Sequence, residues 1–202
     1  MNKKRNLKNS DVVAIWKVLG KKYGVKPVNY SSTFGKILRS IAKTRFHRVS
    51  SVAKDLIGTK LCFFKYVLLD YEPMSGKRPA LTEILHAVHE TTHRLDQKRD
   101  KSAVNWYKNY FRHRSHRATA ELNAIRAEMS IRNLLGTDIG NSYIRHKIET
   151  LRNGYFLDAE SLAFVKKELQ FAFLQIINST VLTNDVAWTV AHELIRLGVI
   201  EE

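Results

Sequence analysis

Two hundred and two residues, 44% of them hydrophobic, are enough to bury a substantial core and suit one domain, or one domain with an appendage. Lys and Arg outnumber Asp and Glu 34 to 19, a formal charge of +15, and the single cysteine, Cys62, excludes an internal disulfide or a multi-cysteine zinc cluster. No run approaches the ~20 apolar residues of a membrane span and no apolar stretch follows the charged amino terminus, so the expectation is a soluble, cytoplasmic protein.

The charge is uneven along the chain. Residues 1–60 hold fifteen Lys or Arg against Asp11 and Asp55, a net +13, which leaves +2 for the rest. A field of that sign attracts nucleic acid, anionic surfaces or acidic proteins, and Lys3, Lys4, Arg5, Lys8, Lys36, Arg39 and Lys43 are the expected polyanion contacts. Met1 to Asn9 reads as a basic arm. Ser10-Asp11 reads as the cap of a helix carrying Val12, Val13, Ile15, Trp16 and Leu19, with Gly20 and Gly24 near its end. Ser32 to about Lys43 follows as a second helix, with Phe34, Ile37, Leu38 and Ile41 inward, and Val52 to Ile57 as a third.

From Lys60 to Tyr71 the chain turns aromatic and branched, apolar on both faces, and is read as one or two buried strands ended by Pro73 and Gly76. A helix over Leu81 to Gln97 comes next, with Ile84, Leu85, Val88 and Leu95 at helical spacing and neither Pro nor Gly inside it. It carries His89-Glu90-Thr91-Thr92-His93. Residues four apart stack on one helical face, so His89 and His93 can offer imidazole nitrogens to one ion, while Glu90 projects from the flank as a base for a water on that ion.

That His-Glu-x-x-His helix resembles the active-site helix of the zincin metallopeptidases, over about residues 60–135. The resemblance implies a small sheet before the helix, a bound Zn2+, peptide-bond hydrolysis by a metal-activated water with Glu90 as general base, and a protein or peptide substrate. Two imidazoles need a third protein ligand. Glu121 is the choice: Ala118, Ala120, Ala124 and Ala127 would let its helix, about Arg117 to Leu135, approach closely, and Glu121-Leu122-Asn123-Ala124 resembles the Glu-x-x-Ala element of glutamate-ligand zincins. Glu128, Asp138, His113 and His116 remain competitors, Asp96 is a candidate to orient a ligand histidine, and His86 a cleft-lining or structural histidine. Tyr107, Tyr110, Arg114, Arg117 and Tyr143 are the candidates for stabilising an oxyanion.

Two further helices, around Ala159 to Leu182 and Asp185 to Leu197, close the chain, the second capped by Thr183-Asn184-Asp185. The expected fold class is α+β and mainly helical: a zincin-like sheet and active-site helix, with basic amino-terminal helices and carboxy-terminal helices added. Residues 1–58 form the basic segment, 59–136 the metal-binding core and 137–202 a helical segment packed on it. The basic segment would localise the enzyme either on nucleic acid, as in SprT-like proteases, which this arrangement resembles, or on an acidic protein substrate. The alternative function is a non-enzymatic nucleic-acid-binding or phage virion structural protein that retains the fold; a secreted toxin is a third. The short, Lys-rich, Pro-poor style is similar to that of phage-encoded proteins.

Overall fold

The computed structural model describes residues 4–29, 31–46, 61–100, 102–179 and 182–201. The proposed helix at Val52 to Ile57, Lys60, Lys3 and the Lys43 side chain lie outside them. Helix α1 (Asn9–Tyr23) leads into strand β1 (Lys26–Asn29) and helix α2 (Thr33–Phe46); strands β2 (Leu61–Phe63) and β3 (Tyr66–Leu69) precede the helices. These are α3 (Ala80–Arg99), α4 (Ala103–Arg112), α5 (Arg114–Leu134), α6 (Asn141–Tyr155), α7 (Ala159–Ser179) and α8 (Asp185–Arg196). The described residues are thus mainly helical with one small sheet, and none of their helices is long and apolar enough to cross a membrane.

The sheet has the order β1-β3-β2, with β1 parallel and β2 antiparallel to β3. Pro27 is tolerated because β1 is an edge strand, where a missing N–H leaves no ladder bond unmade. The apolar run is two strands joined at Phe64-Lys65. Phe64 adopts φ 54°, and its amide donates to the Tyr107 hydroxyl at 2.8 Å, which ties the turn to α4.

Several boundaries differ from the expectation for local physical reasons. Helix α1 begins one residue before Ser10, because Asp11 closes the end from inside, accepting the Lys8 amide at 2.8 Å and a two-pronged bond from Arg5. On α2 Gly35, Leu38 and Ala42 are buried; Phe34, Ile37 and Ile41, expected inward, are about half exposed. The helical period was read correctly, but the described body of the protein meets α2 along the stripe displaced by one residue. Helices α4 and α6 went unrecognised, their aromatic and charged residues masking the apolar period. At α8 the cap is as expected, with Asn184 accepting from the amides of Val186 and Ala187 at 3.0 Å.

Helix α5 is the axis of the molecule. Ala127, Ile131 and Leu134 join a core built with α1, α3 and α8; Leu122, Ile125 and Met129 join a second core with α6 and α7; Ala120 reaches a third with α2, β3 and α4. A helix enclosed on all sides should be apolar throughout. Instead α5 buries Arg117, Glu121 and Glu128, each 5% exposed or less.

Candidate metal centre

Helices α3 and α5 pack side by side, and the alanines at 118, 120, 124 and 127 are all 4% exposed or less, which permits the close approach. Into this seam α3 places His89 and His93, one turn apart, and α5 places Glu121 and, two turns later, Glu128. The geometry brings together the sequence-chosen triad. His89 Nε2 and His93 Nε2 are 3.2 Å apart, and each is 3.2 Å from one oxygen of Glu121. All three residues are buried, and they are the group among the described residues able to hold a metal ion.

These separations fit a metal ion. Two donors each ~2.05 Å from a tetrahedral ion lie about 3.3 Å apart, close to the spacing observed. Glu121 Oε2, despite its proximity to His89, meets no donor at hydrogen-bonding geometry. A buried carboxylate oxygen left this way is costly unless a ligand occupies it.

The surrounding residues orient the donors. Glu128 is bonded to His89 Nδ1 at 2.5 Å, and it is itself held by Lys147 Nζ at 2.6 Å and the Tyr143 hydroxyl at 3.0 Å. With Nδ1 engaged, His89 turns Nε2 toward the triad, the role that carboxylates commonly play behind metal-binding histidines. Glu128 thus stands behind His89, on the ring nitrogen opposite the one that faces Glu121. Asp96, expected to orient a ligand histidine, bonds Asn123 instead at 3.4 Å, and His93 Nδ1 has no hydrogen-bond partner among the described residues. The Tyr110 hydroxyl donates to Glu121 Oε1 at 2.5 Å.

Charge explains the ionisation of the metal-free cluster. Burial opposes the imidazolium of His89, but Glu121 and Glu128 on either side outweigh it and raise its pKa to about 10. Burial likewise opposes both carboxylates, yet His93 and His89 hold Glu121, and Lys147 and His89 hold Glu128, well below the usual range. A metal ion entering the triad must displace the His89 proton.

Glu90 is buried at 5% exposure and makes no hydrogen bond or ion pair to a described residue. Of the oxyanion candidates, Tyr110 and Tyr143 are spent on Glu121 and Glu128, and Tyr107 receives Gln97 Nε2 and the Phe64 amide. Arg114 faces Asp158 at the surface, and Arg117 clamps main-chain carbonyls of Tyr110, Phe111 and Tyr155. Sequence reasoning passed over Lys147 and Tyr155, which sit on a helix it did not identify. Burial raises the pKa of the Tyr155 hydroxyl, and the nearby charges of Glu121 and Glu90 raise it further.

The remaining candidates lie away from the triad. Asp138 caps α6, accepting from the Gly140 amide and Ser142; His113 is the residue before α5; His116 meets the edge of Trp106; His86 bonds the Tyr71 hydroxyl at 3.2 Å. Among the basic residues Arg5 is committed to Asp11 and the Leu197 carbonyl, and the Lys4 amide to the Val199 carbonyl, so this part of the arm is fastened to the carboxy terminus. Lys8 precedes α1, and Lys36 and Arg39 lie on α2. No family model, curated protein or solved structure matches this chain.

Proposed function

We propose that the protein is a zinc-dependent metallopeptidase. The observation that carries this reading is the convergence of His89, His93 and Glu121 at mutual separations of 3.2 Å. Two imidazoles and a carboxylate in a buried tetrahedral setting suit zinc, the usual three-ligand set of a hydrolytic centre. When bound, the ion would polarise the scissile carbonyl and acidify a water at neutral pH. Glu90 is the general base: it takes the proton of the attacking water and delivers it to the leaving amine, a task suited to a carboxylate that no described partner holds. Tyr110 steadies Glu121, Glu128 steadies His89, and the buried Tyr155 hydroxyl also bonds Glu121, so it serves the ligand set before any developing oxyanion. The short sheet before α3 and the basic amino-terminal segment would then serve substrate docking, with a peptide along a strand edge and a polyanion beside it.

A second reading rests on a different feature of the same cluster. Without any ion His89 is already neutralised between Glu121 and Glu128, so the seam could act as an ionic lock in a non-enzymatic nucleic-acid-binding or virion structural protein. Metal analysis of the purified protein, combined with a peptide-hydrolysis assay of Glu90→Gln, separates the two. A peptidase holds about one zinc per chain and loses at least ~10²-fold in rate on Glu90→Gln while keeping its metal. A chain that neither carries nor takes up zinc overturns the first reading.

A further inference from the structure

A cleft of about 760 Å³ lies at the amino-terminal end of α5, against the start of α7. Its wall includes Arg117, which is 1% exposed. Arg117 Nε donates to the Tyr155 carbonyl at 2.8 Å, and Nη1 donates to the carbonyls of Tyr110 and Phe111 at 2.7 and 3.3 Å. Carbonyl groups orient a guanidinium without neutralising it; Glu121 and Asp158 favour its charge from a distance, but no described carboxylate lies within 4.0 Å of it. Burial opposes the charge of Arg117 more than these distant carboxylates favour it, so an anion that reached the guanidinium directly would stabilise it further.

Other features of the cleft point to the same ligand. Arg112 adds a second cation at its mouth. His113 leaves the first turn of α5 without a side-chain cap, so the amides at residues 114–116 face outward with the positive end of a 21-residue helix behind them. The acidic groups present do not fill this role. Asp158 accepts the Ser161 amide at 2.9 Å and lies 3.4 Å from Arg114, so it serves the start of α7, and Glu160 is exposed. Across the cleft stands Phe164, 46% exposed, on a helix whose opposite face is buried. An exposed ring beside a buried cation without a direct ion pair suits a ligand that carries both an anionic group and a flat apolar one.

We propose that this cleft binds a nucleotide unit, with the phosphate on Arg117, Arg112 and the first amides of α5 and the base stacked on Phe164. The unit can come from a free mononucleotide or from a single strand of nucleic acid, and the chemistry of recognition is the same. The site is separate in its residues from the metal triad and does not depend on the ion being zinc.

The test uses the full chain with three probes at low salt: inorganic phosphate, adenosine monophosphate and a fluorescent ten-residue oligothymidylate. Wild type is expected to bind a nucleotide probe, and Phe164→Ala, an exposed position that leaves the core intact, to weaken that binding about tenfold through lost stacking. Arg112→Ala is expected to weaken it by a similar factor and to lower the slope of log affinity against log salt by about 0.7. Zinc content should stay unchanged in both variants. Equal affinity for the mononucleotide and the oligomer marks a free nucleotide as the ligand, and binding of the oligomer alone marks a strand. Absence of binding by all three probes overturns the proposal. So does binding that Phe164→Ala and Arg112→Ala both leave untouched, which moves the contact to the basic amino-terminal segment, or phosphate binding that gains nothing from a base.

Discussion

Two helix seams of this molecule are built from opposite materials. Where α1 meets α8, Val12, Ile15 and Leu19 share a core with Val186, Val190 and Leu194, each 1% exposed or less. Where α3 meets α5, the interior holds His89, Glu90, His93, Glu121 and Glu128 at similar depth. Apolar burial stabilises by ~25 cal/mol per Å², whereas each ion taken from water costs several kcal/mol before its partners offset it. The first seam accounts for its own existence through stability. The second does not, and its cost is intelligible if the cluster is kept for what it binds.

Replacing Glu121 by Ala should break the contrast most sharply, with stoichiometric zinc lost on dialysis and His89 and His93 unable to retain it, as elemental analysis would show. Leu19→Ala should do the reverse, costing ~2–5 kcal/mol of stability in a denaturant titration while the protein that remains folded keeps its metal. If Leu19→Ala lowered metal affinity as much as Glu121→Ala, the two seams would not be separable.

Glu128→Gln tests the orienting carboxylate. Zinc affinity measured by chelator competition should fall about 10- to 100-fold, with Glu90-dependent hydrolysis surviving at saturating metal. Unchanged affinity would return Glu128 to a purely structural pairing with Lys147.

The metal-free cluster also sets a pH dependence. Glu121 and Glu128 have lowered pKa values, so their contribution is complete above their ordinary value of 4.5 and is lost as pH falls through the native values. His89 is raised from 6.5 to about 10, so its contribution is complete below 6.5 and is lost progressively as pH rises to about 10. The metal-free protein should therefore draw most from this seam between pH 4.5 and 6.5. The added stabilisation by zinc should grow from about pH 6.5 to about pH 10, since the ion competes with a proton on His89. Thermal melts with and without metal across that range check both signs.

The smallest effect belongs to the end of the apolar seam. Asp11→Ala removes the cap of α1 and the Arg5 bond, and should cost about 1 kcal/mol with no change in metal affinity. A loss several times larger would mean that the fastening of residues 4–8 to the carboxy terminus matters more to the fold than its hydrogen bonds suggest.

Much of the site could be read in the chain because its signals are local. The four-residue spacing of His89 and His93 on an unbroken helix, and the alanines flanking Glu121, describe one helix face at a time, and a face is a property of periodicity. The roles of Glu128, Lys147 and Tyr155 could not be read this way. Glu121 and Glu128 stand seven residues apart on one stripe, and nothing local says which of them meets the Nε2 side of His89 and which the Nδ1 side. Helix α6, which brings Lys147 and Tyr155, has charged and polar residues at most of its positions, so its apolar stripe of Tyr143, Ile144, Ile148 and Leu151 emerges only once the second core is assembled.

By itself, then, the sequence determined the helices whose apolar period is strong, the polar caps that end them and the residue types able to bind an ion. Only the tertiary structure decided which stripe of α2 would be buried, which carboxylate would join His89 and His93 and which would stand behind His89, and that Arg117 would be enclosed among main-chain carbonyls without a direct ion pair to a described carboxylate. Periodicity is set by the geometry of one helix. The pairing of faces depends on how three cores fill space around α5, a long-range packing result that no window of the chain contains.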